Sequence, residues 1–129
     1  MSSPNDRRYL STHEWHKAEG NSVTLGISRF AVDELTDVTY VALPKIGAAV
    51  KAGGSIGEIE SVKATSEIYS GISGKIVAVN DAAAKNPSVI NQDPFGAGWL
   101  VKIEPSNKDA EMNALLDGPA YDKKFPAAH

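Results

Sequence analysis

The sequence predicts a mainly β fold, a small sandwich or barrel carrying a few short helices. Three observations lead to it. Segments rich in Val, Ile and Tyr recur along the chain, several with every second residue apolar, the period of a half-buried strand. Eleven glycines and seven prolines largely punctuate those segments at turn positions. The stretch before Lys63 (VALP, GAAV, GEIE) is loosely repeated after it (VAVN, PSVI, WLVKIE), which points to two pseudo-symmetric sheets.

Taken in order, VTLGI (23–27) reads as a strand, and Ser28 offers an N-cap to the short helix RFAVDEL. Ile27, Ala31 and Leu35 recur there every fourth residue, an apolar stripe expected to face the core. VTYVALP is β-branched and aromatic, and Pro44 closes it because proline cannot donate to a ladder. Gly47, Gly53 and Gly54 mark turns, SIGEIESV is the next strand, and Gly71 and Gly74 bend the chain into IVAVN. DAAAKNPSVINQDPFGAG is expected to be a long irregular connection with one helical turn. WLVKIEP restores period two, with Trp99, Val101 and Ile103 on one face.

The C-terminal part, about 106–125, is read as a helical cap over the sheet. Ser106-Asn107-Lys108-Asp109 resembles a capping box, Met112, Leu115 and Leu116 form a stripe, and Gly118 with Pro119 should stop the helix. AYDKKF is a second helical piece, and the closing PAAH is expected to fray. The length of 129 residues suits one domain, 1–129.

Composition excludes several function classes. Thirteen Lys plus Arg against sixteen Asp plus Glu give a net charge of −3, which repels a phosphate backbone, so no nucleic-acid partner is expected. With no cysteine there is no disulfide, thiol nucleophile or Cys-based zinc site. No run approaches a membrane span and MSSPNDRRYL lacks a secretory signal, so the expected location is a bacterial-type cytoplasm, or a mitochondrial matrix for a processed form.

A catalytic constellation is hard to assemble. His13 and His16 lie three apart and are expected at the surface, without the further ligands a metal needs. Glu58 and Glu60 share one face of a strand and read as solvated acids. The glycines never open a strand-to-helix phosphate loop. The chain is therefore expected to be non-catalytic, with neither catalytic residues nor a metal.

That leaves EIESVKATSEIYS (58–70), two strand-like segments with Lys63 at the turn (tip 61–65). A lysine amine is protonated at neutral pH and a weak nucleophile unaided. A hairpin tip holds it where another enzyme can acylate it.

Glu60-Ser61-Val62-Lys63-Ala64, followed by Ser70-Gly71-Ile72-Ser73-Gly74-Lys75-Ile76-Val77, resembles the lipoyl-lysine hairpin of the H proteins of the glycine cleavage system. Thr12-His13-Glu14-Trp15 is similar to that family's HEW segment, and Asn86-Pro87…Ile90-Asn91…Asp93-Pro94-Phe95-Gly96-Ala97-Gly98-Trp99-Leu100 to its NP…IN-DP[YF]G-GW block. The resemblance runs from about Tyr9 to Phe125. Biotin carriers usually set their lysine between methionines, and acyltransferase lipoyl domains usually read Asp-Lys-Ala; neither pattern stands here. His16 departs from a commonly apolar position and Gly71 from a position where Pro is frequent.

The resemblance implies a lipoyl/biotinyl-type barrel-sandwich and lipoic acid covalently attached to Lys63. It implies a carrier that takes the aminomethyl group of glycine from the decarboxylase (P protein, pyridoxal phosphate) to the aminomethyltransferase (T protein, tetrahydrofolate). The same carrier passes reducing equivalents to dihydrolipoyl dehydrogenase (L protein, FAD), and a lipoate ligase or lipoyl/octanoyl transferase would attach the group. By position, Thr12, Glu14, Ile27, Ala31, Leu35 and Glu67 would line the cleft that receives the arm. Two other readings are an H-like protein serving mainly as lipoyl donor to other enzymes, and an unmodified β-barrel interaction module.

Overall fold

The computed structural model describes residues 4–125; the PAAH segment and His129 lie outside them. Among the described residues, nine strands form two antiparallel sheets. The larger has the order β1-β2-β3-β9-β8-β5, built from β1 (Arg8–Tyr9), β2 (Glu14–Glu19), β3 (Ser22–Ile27), β9 (Val101–Pro105), β8 (Gly74–Val79) and β5 (Ala49–Val50). The smaller has the order β4-β6-β7, from β4 (Val38–Ala42), β6 (Ser55–Ser61) and β7 (Thr65–Tyr69). The architecture is the expected barrel-sandwich. Its sheets are unequal, with six strands and three, and the Lys63 hairpin lies wholly within the smaller one.

Side chains that alternate inward along these strands build the main core. Val23, Leu25 and Ile27 of β3, Ile59 of β6, Ile68 of β7 and Ile103 of β9 are all buried. Gly57 lets β6 approach β4 closely: a Cβ there would stand 2.1 Å from the Ala42 carbonyl oxygen. A second, aromatic cluster of Tyr9, Trp15 and Tyr121 forms where the C-terminal segment crosses β1, with Tyr9 stacked on Tyr121 at 4.6 Å. The Tyr9 and Leu116 backbones exchange two hydrogen bonds at this crossing.

The helix α1 (Arg29–Leu35) begins as its sequence predicts, with the Ser28 hydroxyl accepting the Ala31 N–H. It ends at Thr36, whose φ of 62° reverses the chain into β4. The Asn91 side chain holds that reversal, donating to the Thr36 carbonyl at 2.7 Å and accepting the Val38 N–H at 2.9 Å.

Four local expectations need correction. The connection after β8 holds two short helices, α2 (Asp81–Lys85) and α3 (Ser88–Gln92), and the Asn80 side chain caps the first. The capping box at Ser106 does not form: α4 (Lys108–Asn113) starts one residue later, from Asn107 and without a side-chain cap, while the Ser106 hydroxyl donates to the Ser73 carbonyl. Gly118 and Pro119 open a helix where a stop was expected: α5 (Gly118–Lys124) begins there, capped by the Asp117 carboxylate on the Ala120 N–H. Trp99 lies before β9, partly buried against the aromatic cluster, so only Val101 and Ile103 of its expected face belong to the strand.

Candidate functional site

The strands β6 and β7 pair from Ser55↔Tyr69 to Glu60↔Thr65 and leave Val62, Lys63 and Ala64 as the turn. The Ser61 side chain organises that turn, since its oxygen accepts the N–H groups of Lys63 and Ala64 at 3.1 and 3.0 Å. Val62 N–H donates to the Asp37 carbonyl and ties the tip to the turn between α1 and β4. Lys63 is exposed, and its Nζ donates to the Glu34 carbonyl at 3.4 Å.

Glu34 also lines a cavity of about 330 Å³ beside the hairpin. All six residues singled out from the sequence, Thr12, Glu14, Ile27, Ala31, Leu35 and Glu67, border this space. Strand β3 supplies Ile27, α1 supplies Ala31 and Leu35, and the segment entering β2 supplies Thr12 and Glu14. Five more complete it: His13, Phe30, Glu34, Ile59 and Ser66. Periodicity held a signal for three of these, since Phe30 and Glu34 are one helical turn apart and Ile59 alternates along β6.

The cavity is apolar toward the core, with the exposed Glu34 and Glu67 at its rim and Glu14 buried in its wall. Glu14 is only 1% exposed. Its carboxylate accepts the Thr12 hydroxyl at 2.5 Å and the Tyr69 N–H at 2.9 Å. Burial pushes its pKa up to about 7 and outweighs the lowering by those donors. Glu67 is exposed and accepts the Tyr69 hydroxyl at 2.9 Å. A site with an apolar floor and carboxylates at the rim suits a flexible alkyl chain that ends in a cation.

The two histidines correct the expectation of surface residues. His16 is fully buried, and His13 is partly buried with Nδ1 2.7 Å from the Tyr121 hydroxyl. Among the described residues no group of three His, Cys, Asp or Glu stands ready for a metal ion.

A family model described as the glycine cleavage H-protein matches residues 7–127. The chain belongs to the glycine cleavage H-protein family. It is 48% identical over 118 residues to the glycine cleavage system H protein of Myxococcus xanthus (strain DK1622), covering 92% of this chain and 91% of that one. To the H protein of Bacillus cereus (strain AH820) it is 44% identical over 121 residues, 94% of each chain. The crystal structure of a glycine cleavage system H protein from Mycobacterium marinum superposes with a TM-score of 0.88 at 39% identity, covering 96% of this chain and 99% of the other. H proteins are the lipoyl carriers of the glycine cleavage system, and that carrier role follows for this chain. Among the described residues no helix is long and apolar enough to cross a membrane.

Proposed function

We propose that Lys63 is the lipoylated residue and that the cavity beside it receives the arm. The observation that carries this reading is one juxtaposition. The exposed Lys63 amine, at the tip of a paired hairpin, reaches the Glu34 carbonyl of the same residue that borders the cavity. When bound, the dithiolane supplies the group-carrying and redox chemistry, and the protein supplies presentation.

The chain's own residues do three things. The Ser61-centred turn holds Lys63 out where other active sites can reach it. Ile27, Ala31, Leu35 and Ile59 offer an apolar bed that keeps water from a docked chain. Glu14, with Glu67 and Glu34, offers negative charge to the ammonium of the aminomethyl cargo.

On this reading residues 1–129 form one non-catalytic carrier domain working in the cytoplasm. Its partners are the pyridoxal-phosphate decarboxylase, the folate-dependent aminomethyltransferase, the flavin dehydrogenase and a lipoate ligase or lipoyl/octanoyl transferase.

Intact-mass spectrometry of the chain made in a lipoylation-competent host tests the attachment. The expected result is one lipoyl increment that the Lys63→Arg variant lacks. A bare chain from that host, or a modified Lys63→Arg chain, overturns the assignment. Reconstitution with glycine decarboxylase then separates a working shuttle from a chain that only donates lipoyl groups.

A further inference from the structure

Tyr121 of α5 joins two walls of the cavity. Its phenol oxygen lies 2.7 Å from His13 Nδ1 and 2.7 Å from Ser28 Oγ, and its ring is fully buried against Tyr9. His13 borders the cavity directly. Ser28 caps α1, the helix that brings Ala31, Glu34 and Leu35 to the cavity.

His13 is held firmly. Its φ is 83°, a left-handed backbone conformation uncommon outside glycine, fixed by hydrogen bonds from His13 N–H to the Leu10 carbonyl and from Ser28 N–H to the His13 carbonyl. The ring stacks on Phe30 at 4.4 Å and meets Phe125 edge-on at 4.7 Å. With Nδ1 taken by the Tyr121 hydroxyl, Nε2 is the ring nitrogen left for another partner, and His13 is among the residues that border the cavity.

Hydrogen counting fixes the direction of the chain. A hydroxyl has one hydrogen to give. Ser28 is fully buried, and its oxygen already accepts the Ala31 N–H, so its hydrogen goes to the Tyr121 oxygen. Tyr121 then donates to His13 Nδ1, and the imidazole hydrogen sits on Nε2. The reverse order leaves a buried hydroxyl hydrogen without an acceptor, the costlier arrangement.

We propose that Tyr121 is a positioning residue for the arm cavity. Through the Ser28–Tyr121–His13 chain it holds His13 as the Nε2–H tautomer, which puts a hydrogen-bond donor on one wall and leaves the Glu14, Glu34 and Glu67 carboxylates as acceptors for a cationic cargo. The inference rests on the reading of Lys63 as the arm's attachment point. It gives α5 a role beyond packing, because a docked ammonium is turned away from the His13 edge and toward the carboxylates.

The test uses Tyr121→Phe, which keeps the ring and deletes the hydroxyl. In ¹⁵N-labelled, unlipoylated wild type, long-range ¹H–¹⁵N spectra should show a single neutral tautomer for His13, with Nε2 protonated and Nδ1 not. In Tyr121→Phe the two nitrogens should average toward a mixture. On lipoylated, aminomethyl-loaded protein, ammonia release should be about three- to tenfold faster in Tyr121→Phe, the worth of one hydrogen bond. Tyr9→Phe is the control, since Tyr9 donates to the Pro4 carbonyl outside the cavity: it should lower Tm comparably and leave the release rate unchanged. A protonated Nδ1 in the wild type, an unchanged release rate in Tyr121→Phe, or equal acceleration in Tyr9→Phe overturns the proposal. A bare Lys63 overturns the attachment reading instead, and the tautomer spectra distinguish the two failures because they need no arm.

Discussion

The backbone N–H of Gly71 donates to Nε2 of His16 at 2.9 Å, inside the protein. Both positions depart from the family pattern, which commonly has an apolar residue at the first and often proline at the second. The two departures explain each other. Proline has no N–H to give and an apolar side chain has no acceptor, so the family's pairing leaves nothing buried and unpaired, and this chain replaces it with a matched donor and acceptor.

A double-mutant cycle should reveal that coupling. His16→Leu alone strands the Gly71 N–H, at about 1–3 kcal/mol. Gly71→Pro alone strands His16 Nε2 and crowds Leu115, whose Cδ2 would lie 2.7 Å from a new Cβ. The double variant should cost less than the sum of the singles by at least ~1 kcal/mol in urea denaturation, whereas strictly additive costs would refute the pairing.

The next expectation concerns pH, where two buried groups of β2 oppose each other. With Nε2 accepting, the His16 hydrogen sits on Nδ1, which is buried without a hydrogen-bond partner, and burial pulls the imidazole pKa down to about 4. The unfolded chain therefore binds a proton near pH 6.5 that the native chain refuses, so this group's stabilisation is lost as pH falls from about 6.5 to 4. Glu14 has the opposite sign. Its folded pKa of about 7 lies above the ordinary 4.5, so native Glu14 takes up a proton first and stability is gained as pH falls across that window. Each effect is on the order of 3 kcal/mol, at 1.36 kcal/mol per tenfold change in proton affinity. Unfolding free energies at pH 7.5 and 4.5 should show His16→Leu gaining stability toward acid relative to wild type and Glu14→Gln losing it. Parallel profiles for the three proteins would exclude the opposed titration.

Glu14 should also govern retention of the cargo. Glu14→Gln keeps the shape and removes the charge, its one carbonyl oxygen accepting the Tyr69 N–H while the Thr12 hydroxyl turns to accept from the amide NH2, so ammonia release from loaded protein should rise about tenfold near pH 8, where the wild-type carboxylate is ionised. The gap to wild type should narrow toward pH 6. A pH-independent ratio would assign Glu14 a role in packing alone.

How much of this was readable in the chain depends on where each signal resides. α1 and its Ser28 cap, and the segments that became β3, β4, β6 and β8, are local patterns and were legible. β2 was not, because Glu14–Glu19 has no period-two apolar run; pairing with β1 and β3 makes it a strand. The Ser106 cap failed for a similar reason, since Ser106 is held by tertiary pairing, its N–H and its hydroxyl both donating to the Ser73 carbonyl, and α4 starts one residue later from Asn107. At the site, Lys63 stood out by its place at a turn. The six cavity residues came from likeness to the family, and only the folded chain brings His13 and Ser66 beside them.

The hairpin's charges give the last expectation. Glu58 of β6 faces Glu67 of β7 directly in the ladder, two like charges on exposed side chains, an arrangement that costs a few tenths of a kcal/mol in fold stability. Glu60 stands two residues along β6, between Glu58 and the Lys63 turn. A repulsive pair kept beside the presented lysine makes sense if partner enzymes ring their active-site entrances with basic residues, since complementary fields speed encounter. Glu58→Gln should thus stabilise the fold by roughly 0.2–1 kcal/mol while slowing association with the partners. Combining it with Glu60→Gln and Glu67→Gln should lower kcat/KM for the carrier severalfold at low salt, and the deficit should shrink as ionic strength screens the fields. Stopped-flow association rates with the decarboxylase, aminomethyltransferase and dehydrogenase proposed as partners, at about 20 and about 300 mM salt, separate the outcomes. Unchanged rates at low salt, or a loss that salt does not diminish, would show that the acids serve the hairpin's own conformation and not its encounters.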